Sequence, residues 1–212
     1  MDKKTQLKAL EAEIRKTKLP LRGANLVFGE GDPDCKVMFI GEAPGFEEDR
    51  LGRPFVGRSG KVLDEMIRGI GWKREQVFIT NIVKRRPPDN RDPLPEEIEA
   101  YKPFLARQIA IINPKIIATL GRFSMNYFLP LAKISRDQGQ VFDHEGRIIF
   151  PLFHPAAALR ATGVMNQLKE SFKRLPMVAA GNFGGVGTTD GVPPVVPTAP
   201  PSSKKPSQEK LF

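Results

Sequence analysis

The stretch VMFIGEAPGFEED (37–49) passes from apolar residues into glycine, proline and the acids Glu42, Glu47, Glu48 and Asp49. Carboxylates directly behind a buried strand can favour a developing positive charge or take a proton. Solubility is a poor reason for them in a chain with a formal net charge of +9. A second stretch, TNIV (80–83), sets Asn81 inside an apolar run. Its amide offers one acceptor and two donors, enough to read a pyrimidine edge; the competing reading is a structural asparagine satisfied by backbone. In GRPFVGRSG (52–60), Phe55 stands among glycines and arginines. That is a poor setting for core packing and a suitable one for stacking on a base. His154 follows RIIFPLF (147–153) and precedes Pro155, a rigid position from which it can point at a ligand, although a lone histidine is commonly structural.

Other chemistries find less support. The two histidines, His144 and His154, are ten residues apart with no HxxxH or CxxC partner, so no metal site is expected. Cys35 is the single cysteine, which excludes an internal disulfide, and no histidine stands beside it to activate a thiolate. GEAPG is neither GxGxxG nor a P-loop.

These residues need elements to position them. Leu7, Leu10 and Ile14 recur at helical spacing and predict a helix over 4–17. KVMFIG (36–41), VFITNIV (77–83), KIIATL (115–120) and RIIFPLF (147–153) read as four strands. Between them lie a helix carrying Leu63, Met66, Ile67 and Ile70, one from Pro95 to about Asn113 with a kink expected at Pro103, and a short one over 123–129. A last helix carries Leu168, Phe172 and Leu175. Strands alternating with helices predict an α/β fold, a three-layer αβα arrangement around a four-stranded parallel sheet. Ligands of such sheets bind beyond the carboxyl ends of the strands. That rule selects GEAPG, Asn81 with the loop behind it, GRFS (121–124) and HPAA (154–157).

A sequence pI near 9.8 points to an anionic partner, nucleic acid ahead of membrane. Arg58, Lys84, Arg86 and Arg91 sit in loops at the same end of the sheet as the candidate site, where phosphates could bind. No apolar run approaches the ~20 residues needed to cross a bilayer, and the polar N-terminus does not resemble a secretory signal. A cytoplasmic monomer is the expectation. The composition changes near Val178, so a domain over 1–177 and a glycine- and proline-rich tail over 178–212 are expected.

GEAPGFEEDRLGRPFVGRSGKVL, TNIVKRRPPDNRDP and FHPAAALR, in this order and spacing, resemble the three signature regions of the family 4 uracil-DNA glycosylases. The resemblance runs from about Leu10 to Leu175. It implies an enzyme that flips uracil out of DNA and hydrolyses its N-glycosidic bond, in base excision repair. By that likeness Gly41, Glu42, Ala43, Pro44 and Gly45 form the loop that handles water, with Glu42 near the sugar. Phe55 stacks on uracil, Asn81 reads its edge, and His154 polarises O2 of the leaving base. Glu48 resembles the acid that crowds the C5 methyl of thymine. Pro155, Ala156 and Ala157 open the loop entering the minor groove, with Arg160 close to phosphate.

The chain departs from that family at four positions. Its members usually bind a [4Fe–4S] cluster through four cysteines, and the matching residues here are Ile14, Thr17, Arg85 and Tyr101, so no cluster and no other cofactor is expected. The terminal QEKLF resembles peptides that bind the DNA sliding clamp, with Gln208, Leu211 and Phe212 as anchors, although Glu209 stands where leucine is commoner. The alternative to a glycosylase is a non-catalytic uracil-DNA or single-stranded DNA binding protein that kept the pocket.

Overall fold

Alternation along the buried strands assigns each side chain to one of two apolar layers, and the helices follow from it. The computed structural model describes residues 1–182. The expected tail from 183 onward, including Gln208, Leu211 and Phe212, lies outside the described residues. Helix α1 (Lys3–Lys16) opens on Asp2, whose carboxylate accepts from the Thr5 N–H at 2.9 Å. There follow β1 (Glu30–Gly31), β2 (Val37–Gly41), α2 (Phe46–Leu51), α3 (Arg58–Gly69) and β3 (Phe78–Asn81). Then come α4 (Pro95–Ile112), β4 (Ile116–Leu120), α5 (Arg122–Phe128), α6 (Ile134–Asp137), β5 (Phe142–His144), β6 (Arg147–Leu152), α7 (Pro155–Ala158) and α8 (Thr162–Ala179).

The sheet runs β1-β3-β2-β4-β6-β5, and its four central strands are parallel, as expected from the four apolar runs. Two short antiparallel edges, β1 and β5, extend it to six strands. Met38, Ile40, Phe78, Ile117 and Ile149 face α1 and α4 through Leu10, Ile14, Leu105 and Ile109. Val37, Phe39, Ile79, Ile116, Phe150 and Leu152 face α3 and α8, where Phe39 stacks on Phe172 with centroids 5.7 Å apart. Helix α4 runs as one element through Pro103 and closes on Asn113 in the left-handed region. Helix α8 reaches Ala179, two residues beyond the expected end of the domain.

One expected surface residue is inside. Lys84 is fully buried, so it cannot meet a phosphate as the basic run KRR suggested. Its amine donates to Thr80 Oγ1 at 2.5 Å, the Asn81 carbonyl at 2.8 Å and Gln108 Oε1 at 2.6 Å. Burial drives its pKa well below the ordinary lysine value, while three accepting oxygens favour the protonated amine, the form with three N–H groups to give. Thr80 and Gln108 both donate to the Phe28 carbonyl, which closes a polar knot behind the end of β3. Lys84→Ala leaves buried acceptors unpaired and is expected to lower stability by ~3 kcal/mol in a urea titration, at about ~1–3 kcal/mol per orphaned group.

Candidate active site

The strand alternation that builds the α3/α8 layer also aims the functional side chains. In β2, Val37 and Phe39 face α3, and Gly41 continues that parity; in β3, Ile79 leads to Asn81. Gly41 and Asn81 are register partners across the parallel pair. In β6, Phe150 and Leu152 lead on to His154, just past the strand end. Three strand ends therefore present one glycine, one amide and one imidazole on the same face.

Phe55 completes the group. Its ring lies so close to Gly41 that a Cβ there would meet Phe55 Cζ at 2.5 Å and would also run into Asn81 Oδ1. The ring centroid is 5.8 Å from that of His154, at 34°. Contrary to the sequence-based expectation that it avoids core packing, Phe55 is buried and joins the α3/α8 apolar cluster. Asn81 is 1 % exposed, yet its Oδ1 has no hydrogen-bond partner. The purely structural reading of this asparagine required that oxygen to be satisfied by backbone. A buried unpaired oxygen beside an aromatic ring is a place for a donor from outside the chain.

His154 is tuned by its own backbone. It caps α7, its Nδ1 accepting the Ala156 N–H at 3.1 Å, which fixes the neutral tautomer with the proton on Nε2. Burial holds its pKa down to about 4, with Glu48 opposing and Arg160 reinforcing the shift. Gly121 was missed as a site residue, although GRFS was singled out. At φ +91° it lets the end of β4 come so close that a Cβ would lie 3.0 Å from His154 Cβ. The φ is its only conformational signature, and a sequence does not print it.

Glu42 follows Gly41, and its carbonyl accepts the Val83 N–H at 3.0 Å, tying GEAPG to the chain behind β3. Its carboxyl is pushed up to about 7 by burial, with Asp92 adding and Arg122 opposing. Asp92 and Arg122 pair with each other at 2.8 Å and were not anticipated. Ala43 packs on the α1/α4 cluster, Pro44 is buried, and Gly45 caps α2. Glu48 Oε1 accepts from the N–H groups of Val56 and Gly57 at 2.9 and 2.8 Å, so this carboxylate is engaged with the Phe55 loop.

Around this centre, Arg58 and Arg160 are exposed. Arg86 lies 5.2 Å over the Phe46 ring and bonds Asn90 at 2.7 Å. Arg91 gives its guanidinium fork to Glu97 at 2.9 and 2.6 Å. Pro155 is buried, while Ala156 and Ala157 are half-buried.

The model of the uracil DNA glycosylase superfamily matches residues 28–176. A type-4 uracil-DNA glycosylase of Sulfurisphaera tokodaii is 46% identical over 190 residues, covering 84% of this chain and 86% of its own. The chain belongs to this family. Type-4 uracil-DNA glycosylases of Archaeoglobus fulgidus (41% identical; 78% of this chain, 85% of its own) and Thermotoga maritima (47% identical; 67% and 76%) are also similar.

The family's iron–sulfur cluster does not fit the residues present. Ile14 and Tyr101 are completely buried, Tyr101 donating to the Pro20 carbonyl at 2.8 Å. Arg85 is buried against Tyr101 and donates to the Ala24 carbonyl; Thr17 Oγ1 donates to the Glu13 carbonyl at 2.8 Å. None offers a thiolate. The lone Cys35 is buried just before β2, at the opposite ends of the strands from the site, its thiol pushed up to about 11 mainly by burial.

Glu42 has a consequence for stability. Its pKa is raised on folding, so its contribution is fully present below the ordinary 4.5 and is lost as pH rises through about 7. Glu42→Gln is expected to raise Tm at pH 8 and leave it nearly unchanged at pH 4, as calorimetry would read.

Proposed function

We propose that the chain is a monofunctional DNA glycosylase that flips uracil out of DNA and hydrolyses its N-glycosidic bond, leaving an abasic site for base excision repair. The observation that carries this is the unpaired Asn81 Oδ1 held beside Phe55 and His154. Uracil N3–H can donate to that oxygen while the amide nitrogen donates to O4, and Phe55 covers the ring. The C1′–N1 bond breaks with its electron pair leaving on uracil, where charge gathers on O2. His154 Nε2–H donates to O2. A neutral imidazole suffices, because the bond strengthens as the oxygen becomes anionic. The sugar becomes cationic, which an ionised Glu42 favours, and water adds to C1′ with its proton free to pass to that carboxylate. This answers why acids follow the first long strand in a basic chain. Lys84 lies close in sequence, but its amine is tied up on the α4 side of β3, and no Schiff base on C1′ is assigned to it.

We read the enzyme as working without an iron–sulfur cluster, since one cysteine cannot supply four thiolates. DNA is held by Arg58, Arg86, Arg91 and Arg160, with the Pro155–Ala157 turn entering the minor groove. The protein acts as a cytoplasmic monomer; among the described residues no helix is long and apolar enough to cross a membrane.

Incubation with a labelled duplex carrying one U·G pair, followed by alkali, should give cleavage at uracil. His154→Ala should slow excision by ~10²–10³-fold, the usual effect of removing one such donor, and Asn81→Ala should also lose most of it. Uracil-dependent binding without cleavage would instead identify a reader of damage. The QEKLF peptide resembles those that bind the DNA sliding clamp, and we propose that clamp as a partner. Deleting Leu211 and Phe212 should abolish co-elution with the clamp and leave excision on short oligonucleotides unchanged.

A further inference from the structure

The backbone of Phe55 has φ +50°, a left-handed conformation that is costly for a residue with a Cβ. Such conformations persist where the surroundings impose them, and they gather at functional sites. Here both sides of the loop are gripped. Glu48 Oε1 takes the N–H groups of Val56 and Gly57. Arg74, far from the signature motifs, takes the carbonyls: Nη2 donates to Pro54 O at 2.5 Å and Nη1 to Phe55 O at 3.3 Å. Arg74 is itself fixed, with Glu30 Oε1 3.0 Å from Nη2 and Asp64 Oδ1 2.6 Å from Nη1. Gly60 seats the first turn of α3 so tightly that a Cβ there would run into the Phe55 carbonyl.

We propose that Arg74 and Glu48 are positioning residues that clamp the 54–57 backbone from its two sides, holding the Phe55 ring in register with Asn81 and His154 for uracil. The inference rests on the glycosylase reading above. It gives Glu48 a second duty besides any contact with the base, and gives Arg74 a role that the family resemblance did not suggest. A guanidinium is required because one planar fork must reach two backbone carbonyls and two carboxylates together; an ammonium cannot span them. The four acceptors come from three separate segments, β1, the Phe55 loop and α3, so the clamp ties the stacking ring to the sheet edge.

The test uses the full chain and compares two readouts: single-turnover excision from the U·G duplex, and affinity for a duplex carrying a tetrahydrofuran abasic analogue, which has no base to stack. Phe55→Ala is expected to slow excision ~10²-fold, and Arg74→Ala by 10- to 100-fold, since displacing a group by about 1 Å can cost ~10² in rate. In the Phe55→Ala background, Arg74→Ala should then add less than ~3-fold, because residues acting through one another are not additive. Abasic-DNA affinity should stay within ~3-fold throughout. Arg74→Lys, which keeps a charge for Glu30 and Asp64, should fold and show the same selective loss if Arg74→Ala does not fold. Glu48→Gln keeps an acceptor for both N–H groups and should lose less than Glu48→Ala. Full-rate excision by both Arg74 variants, an undiminished Arg74 effect without Phe55, or parallel loss of abasic-DNA affinity would overturn the clamp. Full-rate excision by Phe55→Ala would overturn the stacking role itself, a distinct failure.

Discussion

A buried amide oxygen without a partner costs about ~1–3 kcal/mol, and folds ordinarily repair such a defect by turning the side chain or admitting a neighbour. At Asn81 the oxygen has no partner. Gly41 lies directly against the oxygen and supplies no side chain, and the Phe55 ring occupies the space above that glycine. On the opposite face of β3, the Lys84 amine takes the Asn81 carbonyl together with Thr80 and Gln108, so the main chain at this point is fixed. Keeping one acceptor open is the constraint that explains the bare glycine, the strained phenylalanine and the buried lysine together. Each is costly alone, and the three fit together as parts of the uracil edge proposed above.

The two ionisable groups at the centre are shifted for a shared reason and in opposite directions. Burial raises Glu42 toward neutrality from the acid side and lowers His154 toward neutrality from the basic side. The pocket at rest therefore carries less charge than its sequence suggests, and the charges that matter arrive with the substrate. An imidazole that cannot readily become cationic still donates, and its tautomer is set by the Ala156 N–H. In the proposed mechanism a carboxyl poised near neutral pH faces a sugar that turns positive as the bond breaks. Its ionisation works against the fold, the ordinary trade between stability and a prepared site.

Much of this was legible in the chain. Four apolar runs of six or seven residues marked the parallel strands, and the rule about strand ends selected loops whose residues Gly41, Asn81, Gly121 and His154 stand at one end of the sheet. The edge strands β1 and β5 were not legible, because two or three residues carry no period and their pairing is decided by neighbours. Lys84 was misjudged for a simple reason: within KRR it looks like surface charge, whereas its position places it beside Thr80 and under α4. Phe55 was wrongly excluded from the core, since it packs in the α3/α8 cluster while its ring stands 5.8 Å from that of His154. Arg74 could not be found by motif, since its partners Glu30, Pro54 and Asp64 meet only in three dimensions.

At the corner where the family would hold a cluster, the residues present make ordinary contacts. A cluster ties separate segments together through four ligands, and the same segments here are joined by ordinary contacts. Arg107 of α4 grips Glu13 of α1 at 2.6 and 2.7 Å, and Lys3 reaches the Ile112 carbonyl at 2.8 Å. Tyr101 crosses to Pro20, and Arg85 to Ala24. Ile14 and Tyr101 bring apolar volume, which contributes to stability in proportion to the area removed from water and needs no cofactor supply. The effect reaches the site through one segment. Lys84 and Arg85 turn inward and anchor the chain after β3, so Arg86, Arg91 and Asp92 emerge from it at fixed places. Asp92 then meets Arg122, and that pair sets the charge that Glu42 feels. The corner is thus held by packing and an ion pair, and it fixes the loop that carries Asp92.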